Sequence, residues 1–209
     1  MYIYWTIGII FGLLAIWAIG SYIAVRGLEE PAYSVLEKRA GYEIRQYEPY
    51  VIAETEVTGS FDEATNEGFR IIADYIFGNN TKKDSISMTT PVIEETSEKI
   101  SMTTPVINTL EEESTRTISF VLPSKYTLES LPEPNNSRVT LTKVAGRKVA
   151  ALSFTWYPTE SRVSEKKATF INLLEKDGQK IIGAVQVARY NPPLSMPLVL
   201  RNEILIPIE

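Results

Sequence analysis

The chain of 209 residues contains no cysteine and no histidine. Without cysteine there is no disulfide, no thiol nucleophile and no thiolate zinc site. Without histidine there is no His-based catalytic triad and no imidazole metal ligand, and the commonest protein ligand of haem iron is missing. A Gly-rich phosphate loop is also lacking. Lys and Arg number 21 against 26 Asp and Glu, and both signs are scattered along the chain, so no basic footprint for nucleic acid exists. What remains is a chain long enough for one domain with a real core.

Charge is absent altogether from Tyr2 to Val25, a run of Ile, Leu, Phe, Trp and Ala with a few small residues. At ~1.5 Å rise per residue this run can cross a ~30 Å hydrocarbon core. Tyr2, Tyr4 and Trp5 at one end and Tyr22 at the other match interfacial aromatic anchors. A cleaved signal peptide would carry Lys or Arg before the apolar run, and none is there. A helix lying on a soluble core would show a polar face, and this run has none. The pattern predicts a single-pass membrane protein: 2–25 a transmembrane helix, 26–32 a connector, 33–209 a soluble domain. Arg26, just after the run, places the C-terminal side in the cytoplasm by the positive-inside tendency.

Leu28 to Ala40 reads as a polar connector containing Pro31. Alternation then predicts strands at Tyr42–Tyr47 and Tyr50–Thr58. Ser60 and Glu63 form a capping box, and Ala64, Gly68, Ile71, Ile72, Tyr75 and Ile76 make the apolar stripe of a helix closed by Gly78. A strand at Thr117–Leu122 follows. Strands at Arg138–Val144 and Arg147–Trp156 precede a helix from about Ser161 to Lys176, closed by Gly178. Ala184–Tyr190 and Glu203–Ile208 are the last strands. The order strand, strand, helix, strand thus occurs twice. The fold class is α+β: a duplicated β-β-α-β unit forming one antiparallel sheet, curved into a barrel or half-barrel, with two flanking helices.

Between the halves lies an octapeptide that occurs twice, at Ile86–Ile93 and Ile100–Ile107, the copies starting fourteen residues apart. Two β-prone runs around a charged loop read as a hairpin. Without a bulge its register sets Met88 and Met102 on opposite faces of the sheet; one bulge sets them on the same face.

Five stretches together resemble the SOUL haem-binding family. They are Tyr42-Glu43-Ile44-Arg45-Gln46-Tyr47, the run Ala64 to Gly78, Met88-Thr89-Thr90-Pro91-Val92 with its second copy, Ala188-Arg189-Tyr190-Asn191-Pro192-Pro193, and Arg201-Asn202-Glu203. The resemblance spans residues 33–209. It implies a distorted β-barrel with two flanking helices, a fold shared with effector-binding domains of bacterial regulators. It also implies binding of a tetrapyrrole, with haem as the usual ligand. Some members are proposed to hold iron through histidine; this chain has none. Only the other mode fits, an apolar groove with basic residues near the propionates.

A porphyrin needs an apolar slot, cations at the rim and, for its iron, a fifth ligand. Tyr190 and the thioethers of Met88 and Met102 are the candidates for contact with disc or iron, and Arg45, Arg147, Arg189 and Arg201, with Lys143, for the propionates. Arg201 and Glu203 share one side of a strand, so Arg201 is also placed to pair with Glu43 or Glu203. No pair of acids is singled out by spacing for catalysis, so the chain reads as a binding protein. The competing reading is a module for another apolar ligand. A cleft rimmed by Arg and Lys favours the tetrapyrrole, and acids in the cleft favour an organic cation.

Overall fold

A computed structural model describes residues 2–82, 100–110, 115–192 and 194–209. Helix α1 spans Tyr2–Ile23. Its apolar side chains are exposed along nearly its whole length, and Ile3–Ile23 is long and apolar enough to cross a membrane.

The sheet begins at β1, Tyr33–Arg39, and β2, Tyr42–Tyr47. The turn between them uses Gly41 at φ +101°, a left-handed conformation that glycine adopts without penalty. Next come β3 (Tyr50–Thr58), α2 (Phe61–Ile76) and the short β4 (Asn80–Thr81). Strands β5 (Val106–Leu110) and β6 (Thr115–Val121) complete the first half. After β7 (Glu133–Pro134), the second half holds β8 (Thr140–Val144), β9 (Arg147–Phe154), α3 (Glu160–Lys176), β10 (Gln186–Arg189) and β11 (Asn202–Pro207).

Nine strands pair in the order β1-β2-β9-β11-β10-β5-β6-β3-β8, all antiparallel. Exchange β2 with β8, β3 with β9, β5 with β10 and β6 with β11, and the order from β2 to β8 reads the same backwards. The duplication therefore has an approximate two-fold axis between β10 and β5. Each half lends one strand to the other: β2 pairs with β9, and β8 with β3.

Both helices lie on one face of this sheet. Under α3, Val163, Phe170 and Leu174 pack on Ile44, Ala150, Val187, Ile204 and Ile206. Under α2, Ile72, Tyr75 and Ile76 pack on Ala53, Ile118 and Phe120. Gly68 sets the approach of α2 to β6. A Cβ there would stand 2.5 Å from Ile118 Cγ1. At the start of α2 the Glu63 carboxylate accepts from the Ser60 hydroxyl at 2.7 Å and its N–H at 3.3 Å. These bonds hold its pKa below the usual range.

Two expectations change. The second part of the expected connector is strand β1, recruited by pairing with β2. In the second octapeptide copy, expected as strand throughout, Ile100–Pro105 is not strand, and β5, which starts at Val106, pairs with β6 and β10. The first copy, with Met88, and the hairpin expected between the copies lie outside the described residues.

Candidate functional site

Alternation sends the remaining strand side chains to the face away from the helices. There Tyr47, Val149, Ala151, Ala188, Tyr190 and Leu205 cluster beside Tyr33 and Tyr50. Among them sits Glu203, with no exposed surface. Arg45 Nη1 and Nη2 donate to its two oxygens at 2.8 and 3.1 Å. The Tyr190 hydroxyl donates at 2.7 Å, the Ser153 hydroxyl at 3.0 Å, and Arg201 Nε and Nη2 at 3.2 Å each. Arg45 reaches Glu203 from β2 across β9, where the small Ala151 leaves room. Its guanidinium also donates to Glu43 at 2.9 Å and lies 4.5 Å from the Tyr33 ring centre. Arg201 lies 3.8 Å from the Tyr190 ring centre and takes Glu30 at 2.9 and 3.0 Å.

Burial alone would push the Glu203 carboxyl up, but the hydrogen bonds and charge of Arg45, with Arg201 and Tyr190, hold it below the usual carboxylate range. Burial and the Glu203 charge drive the Tyr190 phenol well above its ordinary value. Burial likewise pushes Tyr47 up to about 12. Near neutral pH this is therefore one carboxylate, two guanidiniums and neutral phenols.

Arg45, Tyr190 and Arg201, expected near a ligand, thus meet around Glu203 and saturate one another. Arg147 is half-buried and donates to Gln186 Oε1 at 2.9 Å and to the Tyr50 hydroxyl at 3.3 Å. Arg189 faces the helix side, 4.9 Å from the Phe61 ring centre, and burial lowers its pKa. Met102 is half-buried.

A cavity of about 530 Å³ opens beyond Tyr50. It fits the range of roughly 300–1,000 Å³ seen for small-molecule sites. One wall is the connector Glu29–Ala32; the floor holds Tyr50, Val51, Val121 and Leu122; the far side is the segment 123–129, with Tyr126 and Leu128. Lys143 and the carboxylates of Glu29, Glu30, Glu48 and Glu129 give its charge. The Glu29 carboxylate accepts from the Ser124 N–H at 2.7 Å, and Glu30 pairs with Arg201. The connector is pinned on three sides: the Thr104 N–H donates to the Glu29 carbonyl, Ser124 to the Glu29 carboxylate, and the Glu48 N–H to the Ala32 carbonyl. Thr103, beside Met102, donates its hydroxyl to the Val121 carbonyl and lines the cavity. The second octapeptide copy therefore helps build this site, although not through its methionine.

Sequence reasoning named Lys143 among these lining residues and missed Tyr50, Tyr126 and the four acids. They come from separate segments that no periodicity links. Among the described residues, no group of three or more acids is placed to hold a metal ion.

Two solved structures share the architecture. A hydrolase from Listeria innocua aligns at TM-score 0.53 and 12% identity, covering 83% of this chain and 94% of that one. The EcmrR C-terminal domain aligns at TM-score 0.58 and 9% identity, covering 85% and 98%. At these identities the likeness shows the fold alone. Heme-binding protein 2 of Homo sapiens is 30% identical over 187 residues, 87% of this chain and 86% of that protein. The Mus musculus protein of that name is 30% identical over 185 residues, 86% and 85% respectively. The family model described as SOUL heme-binding protein matches residues 28–98 and 94–207. With both halves matched in this way, the chain belongs to the SOUL heme-binding protein family.

Proposed function

We propose that the protein is a membrane-anchored binder of haem or a related tetrapyrrole, a carrier, buffer or sensor without catalysis. Residues 2–25 are its single-pass anchor, 26–32 the connector, and 33–209 the ligand-binding domain, on the cytoplasmic side by the position of Arg26. The observation that carries the reading is the 530 Å³ cavity in a member of this family. Its residues suit an apolar disc: Val51, Val121, Leu122 and Leu128 with the rings of Tyr50 and Tyr126 would take the macrocycle. Lys143 would meet a propionate. In a chain without His or Cys, the Tyr50 and Tyr126 phenols are the cavity's aromatic oxygen donors, and either would suit a bound iron in place of packing on the disc.

Hemin titration of the purified chain tests this. A saturable Soret shift is expected, and its absence at micromolar ligand would sink the reading. The acids favour a second occupant, an apolar molecule with a cationic group, as in an effector-binding module. Competition of a lipophilic cation against hemin, or binding of the cation alone, distinguishes the two.

A further inference from the structure

The soluble domain carries an exposed apolar rim beside α1. Leu194 is 86% exposed, Leu198 59%, Trp156 47%, and Tyr157 and Val199 40% each. No charged residue lies between Leu194 and Val199. The rim is joined to α1 at two points. Trp17 Nε1 donates to the Leu194 carbonyl at 2.9 Å, and the Met196 N–H donates to Ser21 Oγ at 2.8 Å. Trp156 joins the rim through its N–H, which donates to the Pro197 carbonyl at 2.9 Å.

We propose that this rim is a second membrane contact, seated at the boundary of lipid headgroups and acyl chains beside the anchor. The inference rests on reading α1 as a retained anchor. The depth follows from the helix. The rim meets α1 at Trp17 and Ser21, six and two residues before Ile23, the end of α1, so at ~1.5 Å per residue it lies ~3–9 Å inside that end. Interfacial apolar faces sit ~5–10 Å into the same boundary. Charge, chemistry and geometry agree with that level. Tryptophan and tyrosine prefer the interface, and leucine and valine the acyl side.

A loop enters this zone at lower cost the more of its backbone polar groups are satisfied. The N–H groups of Ser195, Met196, Val199 and Leu200 find acceptors, and Pro197 carries no N–H. Trp156 adopts φ +73°, a left-handed conformation that is rare for a bulky side chain. It is held there by the Pro197 bond and by Asn202 Nδ2, which donates to the Trp156 carbonyl at 2.8 Å. A strained backbone that turns an indole outward is accounted for if the indole has lipid to enter.

The cysteine-free sequence makes the test direct. Single cysteines at Leu198→Cys, Ile10→Cys and Glu175→Cys in the full chain are labelled with bimane. Each is reconstituted in phosphatidylcholine–phosphatidylglycerol vesicles containing nitroxide on the acyl chain, with circular dichroism checking the fold. Expected is several-fold quenching at positions 10 and 198 and little at 175, at the other end of α3. Quenching at 10 without quenching at 198 would overturn the rim contact and leave the anchor standing. An apolar but unquenched label at 198 would point to a protein cover and also overturn it. No quenching at 10 would remove the anchor and the inference with it.

Discussion

Replacing Glu203 with Gln is expected to cost more than any surface change in this chain. The Arg45 and Glu203 side chains are 5% and 1% exposed, so the pair is in the regime where loss of one partner strands the other's charge. The amide would turn an Nε2 donor toward guanidinium donors, and Tyr190 and Ser153 would compete for the remaining oxygen. Arg201 can still turn to Glu30, but among the described residues Arg45 keeps Glu43 as its one carboxylate, beside the neutral Tyr47 hydroxyl and the Tyr33 ring. Breaking a buried pair in this way costs about 3–5 kcal/mol. For a domain of this size that is about 6–20 °C in Tm. Urea and thermal unfolding of the full chain in detergent, followed by circular dichroism, give the number.

Arg45→Met with Glu203→Leu removes both charges and should recover at least half the loss, because apolar side chains replace a desolvated pair at little cost. The recovery stays partial, since the Tyr190 hydroxyl loses its acceptor. Acid provides a second readout. The Glu203 pKa is depressed in the folded state, so its contribution is present above the unfolded value of about 4.3 and is lost as pH falls through the folded pKa. Below about pH 4 the wild type should lose stability more steeply than Glu203→Gln. A loss for Glu203→Gln under about 1 kcal/mol, the value of an exposed pair, would refute the desolvated cluster. So would a double variant no more stable than the single.

Gly68→Ala should destabilise by about 1–3 kcal/mol, because the new methyl meets Ile118 at 2.5 Å. Adding Ile118→Val should restore part of it in the same urea assay. Lys143→Glu should weaken hemin binding by about tenfold, roughly 1.4 kcal/mol, in a Soret titration, and an unchanged affinity would remove Lys143 from the site. Glu30→Gln should leave global stability within about 1 kcal/mol, as the Glu30–Arg201 pair is partly exposed. It should speed hydrogen exchange across residues 29–32; unchanged exchange would show that the pair does not hold the connector.

What could be read in the sequence was whatever local pattern dictates. The capping box at Ser60 and Glu63, the apolar stripe from Ala64 to Ile76 and the glycines at 78 and 178 each act within a few residues, and each is found where the pattern puts it. The duplication was visible as element order. The lending of β2 and β8 between halves was not, because pairing of distant strands leaves no mark on either strand. β1 was misread as connector because five of its seven residues are exposed, so it lacks the apolar alternation of a half-buried strand. Only the end of the second octapeptide copy is strand, and β5 pairs with β6 and β10, partners distant in sequence or hidden from its local pattern. Arg45 and Arg201 were singled out as rim cations for the propionates, and Tyr190 for contact with the disc or iron. The sequence carried the nearest acid, Glu203, but not its burial, and burial decides whether those cations face a ligand or one another.

That burial gives the cluster a further consequence. Arg201 holds Glu203 with one edge of its guanidinium and Glu30 with another, so the interior of the sheet is linked by one side chain to the connector that walls the cavity. The connector in turn follows directly from α1. A site edge built only of loop would relax independently of the core. This one is tied to a fully buried carboxylate through Arg201, to residues 104 and 48 through backbone bonds, and to the Ser124 N–H through the Glu29 carboxylate. In this chain Arg45 and Arg201 are engaged by carboxylates of the protein itself. Through Glu203 and Glu30 they fix the wall against which an apolar ligand would rest, and that wall follows directly on α1.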